Sequence, residues 1–287
     1  MKYINEKGQL VTEDSSQDRF LKFIYSSMAG RVSLKLLTRP WVSKLGGAFL
    51  STPFSKCFIS SFIQNNHIPM ADYEKTTYKS YNDFFTRKIK AGKRPIPEDE
   101  NVLFSPCDCK VSVYPIYDNT TFVIKNTLYT VESLLKHRKL AKRFRDGYAV
   151  VCRLTVDDYH RYSYIDDGEK SYNYFIPGIY HTVNPIANDY AAIYSENARE
   201  YTMMKTKHFG NVVQMEVGAL MVGRIKNHQG MGPMKRGTEK GYFEFGGSTI
   251  VLLFEKNRVN IDQELLKRTE EQCETKVKLG QRIGYKK

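Results

Sequence analysis

The stretch from Gly241 to Phe254 constrains the fold of this chain most strongly. Its second half, Ile250–Phe254, is an unbroken apolar run, which predicts a buried strand. Directly before it, Gly246 and Gly247 precede Ser248, and glycines allow backbone dihedrals that other residues avoid. The sequence therefore predicts a sharp turn that enters the core at a serine. A tight turn alone explains this pattern, so only partners elsewhere in the chain make Ser248 a candidate reactive group.

Composition and charge narrow the class of protein. A chain of 287 residues with 41% hydrophobic and 13% aromatic residues can bury a large core, as one domain or two, and this excludes a disordered chain. The balance of 44 basic and 31 acidic residues, a net charge of +13, indicates an anionic partner: nucleic acid, a membrane surface or an acidic substrate. No nucleic-acid recognition motif accompanies the charge, so we expect no nucleic-acid partner.

Five cysteines and no signal peptide predict a reducing, cytosol-facing location. Cys107 and Cys109 flank Asp108, but no second Cys or His pair lies nearby at zinc-ligand spacing. Buried free thiols and no metal are therefore expected. No apolar stretch approaches the roughly 20 residues that span a bilayer, so any membrane contact is predicted to be peripheral.

The segment Phe20–Met70 contains no Asp or Glu, and its apolar residues recur at helical spacing. Amphipathic helices with basic flanks suit the headgroup region of an anionic membrane. The same helices could instead pack on the main domain with a solvated basic face, and the sequence leaves both interpretations open. The basic residues are Lys22, Arg31, Lys35, Arg39, Lys44 and Lys56, and the apolar positions are Leu21, Ile24, Tyr25 and Met28, with Phe54, Phe58 and Phe62 on one face of a second helix.

The remaining pattern predicts an α+β fold, with N-terminal amphipathic helices followed by a mostly antiparallel, strand-rich catalytic domain. We place a helical, membrane-facing segment at 1–70, which begins with a loose terminus over 1–18, and a catalytic domain at 71–287. Short elements are predicted as a helix over 78–90, a helix from Val131 to about Arg145 capped by Thr130, and a mobile glycine-rich loop over 227–241.

A histidine in a polar cluster completes a candidate catalytic set. His160 lies within the cluster Asp157–Tyr162, and Ser248 and several aspartates supply the other groups that nucleophilic catalysis uses. Single histidines and aspartates are more often structural, so the pattern alone leaves both roles open.

Five stretches, taken in order, resemble the phosphatidylserine decarboxylases, a family that makes its own pyruvoyl cofactor. The resemblance covers about Tyr78 to Gly284. Its motifs lie at 81–87 with 94–96, at 105–108, at 158–161, at 209–210 with 217–219 and 222–223, and at 246–249. Two positions depart from the family pattern: Cys109 stands where a glycine is usual, and Ser163 stands where many members carry a second histidine.

The resemblance implies autocatalytic cleavage between Gly247 and Ser248. His160, oriented by Asp108, would take the proton from the Ser248 hydroxyl, which then attacks the Gly247 carbonyl. Residue 248 would become the pyruvoyl group. The resulting chains, 1–247 and 248–287, are expected to stay together as a heterodimer, and a higher homo-oligomer is left open.

The resemblance also implies the reaction and its place. Phosphatidylserine would be decarboxylated to phosphatidylethanolamine and CO₂, with the pyruvoyl group as electron sink and His160 as proton donor. The enzyme is expected as a peripheral protein on the cytoplasmic side of the cell membrane, where it meets an anionic lipid surface. Two alternatives remain: a pyruvoyl-dependent decarboxylase of a soluble amino acid, and a membrane-binding homologue that does not cleave itself.

Overall fold

The computed structural model describes residues 2–12, 23–24, 26–27, 30, 33, 39–124, 127–179, 192–218, 224–244 and 248–287. The α-helices with bounds inside these ranges are α1 Pro40–Leu50, α2 Cys57–Asn65, α3 Tyr81–Phe85, α4 Val131–Leu135, α5 Arg138–Ala141, α6 Ile193–Glu196 and α7 Gln263–Glu270, and short 3-10 helices lie at Pro53–Lys56, Met70–Asp72 and Lys142–Phe144. The strands are β1 Lys2–Ile4, β2 Leu10–Thr12, β3 Val102–Phe104, β4 Cys109–Pro115, β5 Thr121–Ile124, β6 Thr127–Thr130, β7 Tyr148–Leu154, β8 Arg161–Ser163, β9 Gly168–Lys170, β10 Tyr174–Ile176, β11 Arg199–Thr206, β12 Asn211–Val217, β13 Ile225–Asn227, β14 Gly232–Met234, β15 Glu239–Phe243, β16 Ser248–Phe254, β17 Val259–Ile261, β18 Glu274–Val277 and β19 Arg282–Lys286.

One sheet of eleven described strands forms the body of the protein. Its order is β14-β9-β11-β12-β16-β7-β4-β18-β1-β2, with β10 also paired to β11. Smaller sheets are formed by β13-β15-β8, β17-β19-β3 and β5-β6. All described pairs of strands are antiparallel except β1 with β18. The predicted α+β class is therefore confirmed.

Strand β16 lies at the centre of the main sheet, and all seven of its residues are buried. It pairs along its length with β7 on one side and with β12 on the other. Because side chains alternate across a strand, Val251 and Leu253 join one core, and Ile250 and Leu252 join the other. The predicted buried strand over Ile250–Phe254 is confirmed, and it extends back to Ser248.

A buried ion pair joins the β13-β15-β8 sheet to the main sheet. Nζ of Lys240 in β15 lies 2.8 and 2.9 Å from the two carboxylate oxygens of Glu216 in β12, and 2.8 Å from Oδ1 of Asn227 in β13. Both charged side chains are fully buried. Burial raises the pKa of Glu216, and the ammonium of Lys240 opposes that rise. The pair fixes the smaller sheet over the face of β16 that carries Ile250.

The N-terminus, the glycine-rich loop and one short helix differ from the prediction. Residues Lys2–Thr12 are not a loose terminus, because β1 pairs with β18 and β2 pairs with β1. The predicted mobile loop over 227–241 contains β14 and part of β15. The helix predicted over 78–90 is shorter in the structure, where α3 spans only Tyr81–Phe85.

The predicted helix Val131–Arg145 is interrupted. Thr130 caps α4 as expected, since its Oγ1 accepts a hydrogen bond from the backbone N–H of Ser133 at 2.9 Å. Lys136 then adopts a left-handed conformation, with φ 51°, and this ends the helix before α5 begins.

The N-terminal helices are described in part. Leu21, Tyr25 and Met28 lie outside the described residues. Phe62 in α2 packs on Tyr81 and Phe84 with ring centroids 5.5 and 5.9 Å away, whereas Phe54 and Phe58 are exposed. The three phenylalanines therefore do not share one environment. None of the described helices combines the length and apolar composition that a bilayer crossing requires, and the division of the chain at residue 70 stays a prediction.

We expect Lys240→Met to lower the free energy of unfolding by about 3–5 kcal/mol, because it leaves the Glu216 carboxylate buried without its cation. Lys240→Met combined with Glu216→Leu should lose less than the single variant. Lys256→Met is the matched control, since Lys256 pairs with Asp146 at the surface and such pairs contribute about 0–1 kcal/mol. Equilibrium urea unfolding measures all three, and equal losses for Lys240→Met and Lys256→Met would contradict the assigned role.

Candidate active site

Ser248 lies at the entrance of the central strand. It is the first residue of β16, opposite Leu154 of β7, and only 1% of its surface is exposed. Its Oγ has no hydrogen-bond partner among the described residues. By strand alternation its side chain lies on the same face as Ile250, beneath the β13-β15-β8 sheet. Gly246 and Gly247 lie outside the described residues, so the predicted cleavage site stays a prediction.

His160 precedes β8, in the layer that covers this face. Its side chain is buried against the Phe85 ring, with 4.2 Å between ring centroids. Nδ1 lies 3.0 Å from the backbone carbonyl oxygen of Asp158. Because a carbonyl oxygen can only accept, Nδ1 carries the hydrogen and a neutral imidazole has its lone pair on Nε2. The carbonyl of His160 accepts from the N–H of Phe243 at 3.0 Å, which ties the histidine to the segment that leads to Ser248.

Asp108 is held by an arginine. Nε and Nη2 of Arg94 donate to its two carboxylate oxygens at 2.8 and 2.5 Å, and the N–H of Leu279 donates to Oδ1 at 2.8 Å. The planar guanidinium fork matches a carboxylate better than one imidazole N–H does. Within the described part of the chain, the Asp108 carboxylate binds Arg94 and Leu279. The orientation of His160 by Asp108 stays a prediction.

The aspartate turn and the histidine motif are nevertheless neighbours. The N–H of Ser163 donates to the carbonyl of Pro106 at 2.9 Å, which joins β8 to the turn before Asp108. The charge of Asp108 is also near enough to raise the pKa of Asp158 slightly. A cavity of about 200 Å³ is lined by Ser163 and Arg94, so there is space next to the position where many family members carry the second histidine.

A network around Asp158 positions the histidine motif. Asp158 accepts hydrogen bonds on Oδ2 from the N–H and hydroxyl of Thr155 at 2.7 and 2.8 Å. Nη2 of Arg87 lies 3.2 Å from the carbonyl oxygens of both Asp157 and Asp158. Burial, followed by the charge of Asp157, raises the pKa of Asp158 to about 6. Arg87 thus holds the backbone carbonyl that orients His160, and Thr155 holds the side chain of the same residue.

Comparison with known proteins decides the family. The family model described as phosphatidylserine decarboxylase matches residues 81–285. This chain belongs to the phosphatidylserine decarboxylase family. Among its relatives, phosphatidylserine decarboxylase proenzyme 2 of Clostridium acetobutylicum is 47% identical over 265 residues, which cover 92% of this chain and 91% of that protein.

Two other relatives match over the whole chain. The phosphatidylserine decarboxylase proenzymes of Clostridium kluyveri and Fusobacterium nucleatum are 40% and 38% identical, each covering 100% of this chain and 99% and 98% of their own lengths. The predictions that the chain is a member of this family and an enzyme of the decarboxylase class are confirmed. The catalytic roles of Asp108, His160 and Ser248 stay predictions.

Sequence reasoning missed two of the residues that organise the site. Arg87 and Arg94 stand inside the decarboxylase motifs, but their roles as clamps on the Asp158 loop and on Asp108 were not predicted. The sequence gives little indication of these roles, because arginines are common in a basic chain and the carboxylate partner of Arg94 is 14 residues away along the chain.

Asp158→Asn should change the pH dependence of stability. A carboxyl group whose folded pKa is raised from 3.8 to about 6 contributes stability that is complete below pH 3.8 and is lost as pH rises through 6. Between pH 4 and pH 7, the free energy of unfolding of the wild type should therefore fall by up to about 3 kcal/mol. The variant, which lacks this carboxyl group, should not show that fall. Urea unfolding of both proteins across this range measures the difference, and parallel pH profiles would contradict it.

Proposed function

We propose that this chain is a self-cleaving phosphatidylserine decarboxylase. It cuts itself between Gly247 and Ser248, converts Ser248 to a pyruvoyl group, and then releases CO₂ from phosphatidylserine to give phosphatidylethanolamine. One observation carries the proposal: the Ser248 hydroxyl is buried at the start of the central strand and has no hydrogen-bond partner among the described residues. A buried hydroxyl without a partner costs stability, which is consistent with a role in chemistry.

His160 is the base in this proposal. With its hydrogen on Nδ1 and directed to the Asp158 carbonyl, Nε2 can take the proton of Ser248 Oγ. Oγ then attacks the carbonyl carbon of Gly247, and the peptide link is replaced by an ester. Elimination then removes the Cα proton of residue 248 and breaks its Cβ–O bond, which releases residue 247 as a carboxylate and leaves dehydroalanine at position 248. Water hydrolyses this enamine, and the products are the pyruvoyl ketone and ammonia. The Asp158 carbonyl, fixed by Arg87, stabilises the imidazolium that forms.

Asp108 has a supporting role in this arrangement. Its carboxylate, clamped by Arg94, lies between the turn at Pro106 and the backbone of Leu279. It joins the segment before β4 to the segment between β18 and β19, and thus fixes the turn on which β8 rests. The resemblance to the family implies that Asp108 orients His160, and that role stays a prediction.

The two chains would remain associated after cleavage. The smaller chain, 248–287, contains β16, β17, β18, β19 and α7. Within it, β16 pairs with β7 and β12, β18 pairs with β4 and β1, and β19 pairs with β3, all in the larger chain. The cut therefore removes one backbone bond and leaves every one of these strand pairs in place.

The residues present fit the cofactor that the family makes. A pyruvoyl group at position 248 supplies a ketone that binds the substrate amine and withdraws electrons as the carboxylate leaves. The surrounding layer excludes water, since Ser248 and His160 are each only 1% exposed. In this proposal, His160 returns a proton to the product.

We also propose that the N-terminal helices dock on an anionic membrane from the cytoplasmic side. Large apolar side chains are exposed on α1, on the turn into α2 and on the first turn of α2, in a segment without acidic residues. Such a surface suits the headgroup region of anionic lipids. These side chains are Trp41, Leu45, Phe49, Phe54 and Phe58, and Phe54 is 82% exposed.

The docking helices connect directly to the site. Ser55 Oγ accepts a hydrogen bond from the N–H of Tyr81 at 2.9 Å, and Phe62 packs on Phe84. The next residue, Phe85, contacts the His160 ring. A lipid held at α1 and α2 would therefore lie one helix away from the reacting groups, which favours a membrane lipid over a soluble amino acid as substrate.

Ser248→Ala should remain one uncut chain without decarboxylase activity, because no hydroxyl is present to attack Gly247. His160→Ala should also fail to mature, since it lacks the base. His208→Ala is the matched control: its Nδ1 lies 2.9 Å from the carboxylate of Asp166, and the variant should mature normally. Intact mass spectrometry over time measures the appearance of the 40-residue fragment 248–287.

Recovery of that fragment from Ser248→Ala would refute the cleavage mechanism. Normal maturation of His160→Ala would show that another group is the base. An uncut wild type would favour the homologue that does not cleave itself.

Phe54→Ser combined with Leu45→Ser should weaken binding to vesicles that contain phosphatidylserine, because two apolar anchors are lost. Charge reversal at Lys22, Lys35 and Lys44 should weaken it further, by about 1 kcal/mol for each residue near the surface. Leu128→Ser is the control, since Leu128 lies on β6, outside the helices, and is exposed to nearly the same degree as Leu45. Vesicle co-sedimentation at low and high salt measures binding. Equal binding of wild type to neutral and anionic vesicles would contradict the electrostatic part.

A further inference from the structure

Three buried thiols meet beside Asp108. Cys109 is the first residue of β4, Cys107 lies in the turn before it, and Cys152 lies in β7. Their Sγ atoms are all within 4.8 Å of one another, and each cysteine is fully buried. The sequence showed only the first two, because the third is more than 40 positions away along the chain and is brought in by strand pairing.

The strand register explains the convergence. In the antiparallel pair β4–β7, Val111 stands opposite Cys152. Cys109, two residues before Val111, points to the same face and is the diagonal neighbour of Cys152. Cys107 enters from the turn before β4, where the hydroxyl of Ser105 donates to its carbonyl at 2.7 Å. Three separate backbone positions thus direct sulfur to one point.

We propose that this thiol cluster binds one thiophilic d¹⁰ metal ion, Zn²⁺ or Cu⁺. Sulfur donors select soft ions of this kind over Mg²⁺ or Ca²⁺. With metal–sulfur bonds of about 2.3 Å, bound sulfurs stand roughly 4 Å apart, so separations within 4.8 Å need only small side-chain rotations. The site is preassembled in the fold and does not require the backbone to move.

The two ions make different use of the surroundings. Three sulfurs are enough for Cu⁺, whereas Zn²⁺ takes four ligands. Ser105 Oγ lies 3.5 Å from Cys109 Sγ and is a candidate for that fourth position. With three thiolates, Zn²⁺ leaves a net charge of −1 and Cu⁺ leaves −2. A buried net charge is costly, so zinc is the better match for this apolar core.

Two other states compete with the metal. Buried cysteines can remain as three small apolar thiols, and two of them can pair as a disulfide. A disulfide uses two sulfurs and gives no reason for the third to converge on the same point. A bound ion uses all three, and it would fix the backbone on both sides of Asp108, whose carboxylate Arg94 holds from the other end.

The test uses the full-length protein, reduced and stripped of metal under anaerobic conditions. Zn²⁺ alone and Cu⁺ alone are titrated against a competing chelator, and X-ray absorption then counts the sulfur ligands. We expect one ion per chain with three sulfurs bound. Cys152→Ser and Cys109→Ser should lower affinity by at least the roughly 10–100-fold that loss of a supporting second-shell group costs. Cys57→Ser and Cys273→Ser, which alter thiols outside the cluster, should bind as the wild type does.

Binding of either ion with three sulfurs supports the proposal, and the two titrations distinguish zinc from copper. If Cys152→Ser does not fold, the sulfur count on the wild type still decides. The proposal is overturned if neither ion binds and all three thiols are alkylated after denaturation. It is also overturned if the reduced protein forms a disulfide on reoxidation, seen as a loss of two hydrogens in the intact mass, and then takes up no metal. Loss of metal binding in Cys57→Ser would overturn it as well.

Discussion

Pairing of β16 on both of its edges is the constraint on which the rest of the structure depends. Hydrogen bonds to β7 and β12 fix the strand at the centre of the sheet, and Ser248 is therefore held at the N-terminal end of that strand. The smaller sheet covers this position because Lys240 reaches across the layer to Glu216. One strand therefore determines where the serine lies, what surrounds it, and why a chain cut at that point would not dissociate.

The chemistry around Ser248 is arranged by backbone groups as much as by side chains. The Asp158 carbonyl selects the tautomer of His160, and Arg87 holds that carbonyl. Arg94 takes both oxygens of Asp108, which makes the aspartate a structural joint between the turn at Pro106 and the backbone of Leu279 in this conformation. The charged groups of the site are thus held by two arginines, Arg87, which is buried, and Arg94, which is partly buried.

The sequence predicted the parts of the fold that depend on local pattern. The apolar run Ile250–Phe254 and the cap at Thr130 were correct, because strand burial and helix capping are set by residues close together in the chain. The strand Lys2–Ile4 was missed because it has only three residues within a mixed, largely polar terminus, and it pairs with the edge that β18 offers.

The site was predictable to the same limited degree. Motifs gave the candidate residues, but the partners of Asp108 and the approach of Cys152 to Cys109 depend on pairing between strands that are far apart in the chain. A propensity or a spacing rule carries no information on such contacts. The left-handed residue at Lys136, likewise, reflects packing of α4 and α5 and not helix propensity.

The central claim is that Ser248 becomes a pyruvoyl group, and the mass of the smaller chain tests it most directly. Purified wild-type protein is separated under denaturing conditions, and the intact mass of the fragment 248–287 is measured. The account predicts a fragment lighter by one ammonia than the peptide that begins with serine, since the amino group of residue 248 is lost when the ketone forms. A fragment with the full mass of an N-terminal serine would mean simple hydrolysis and would contradict the account, as would a chain that stays whole.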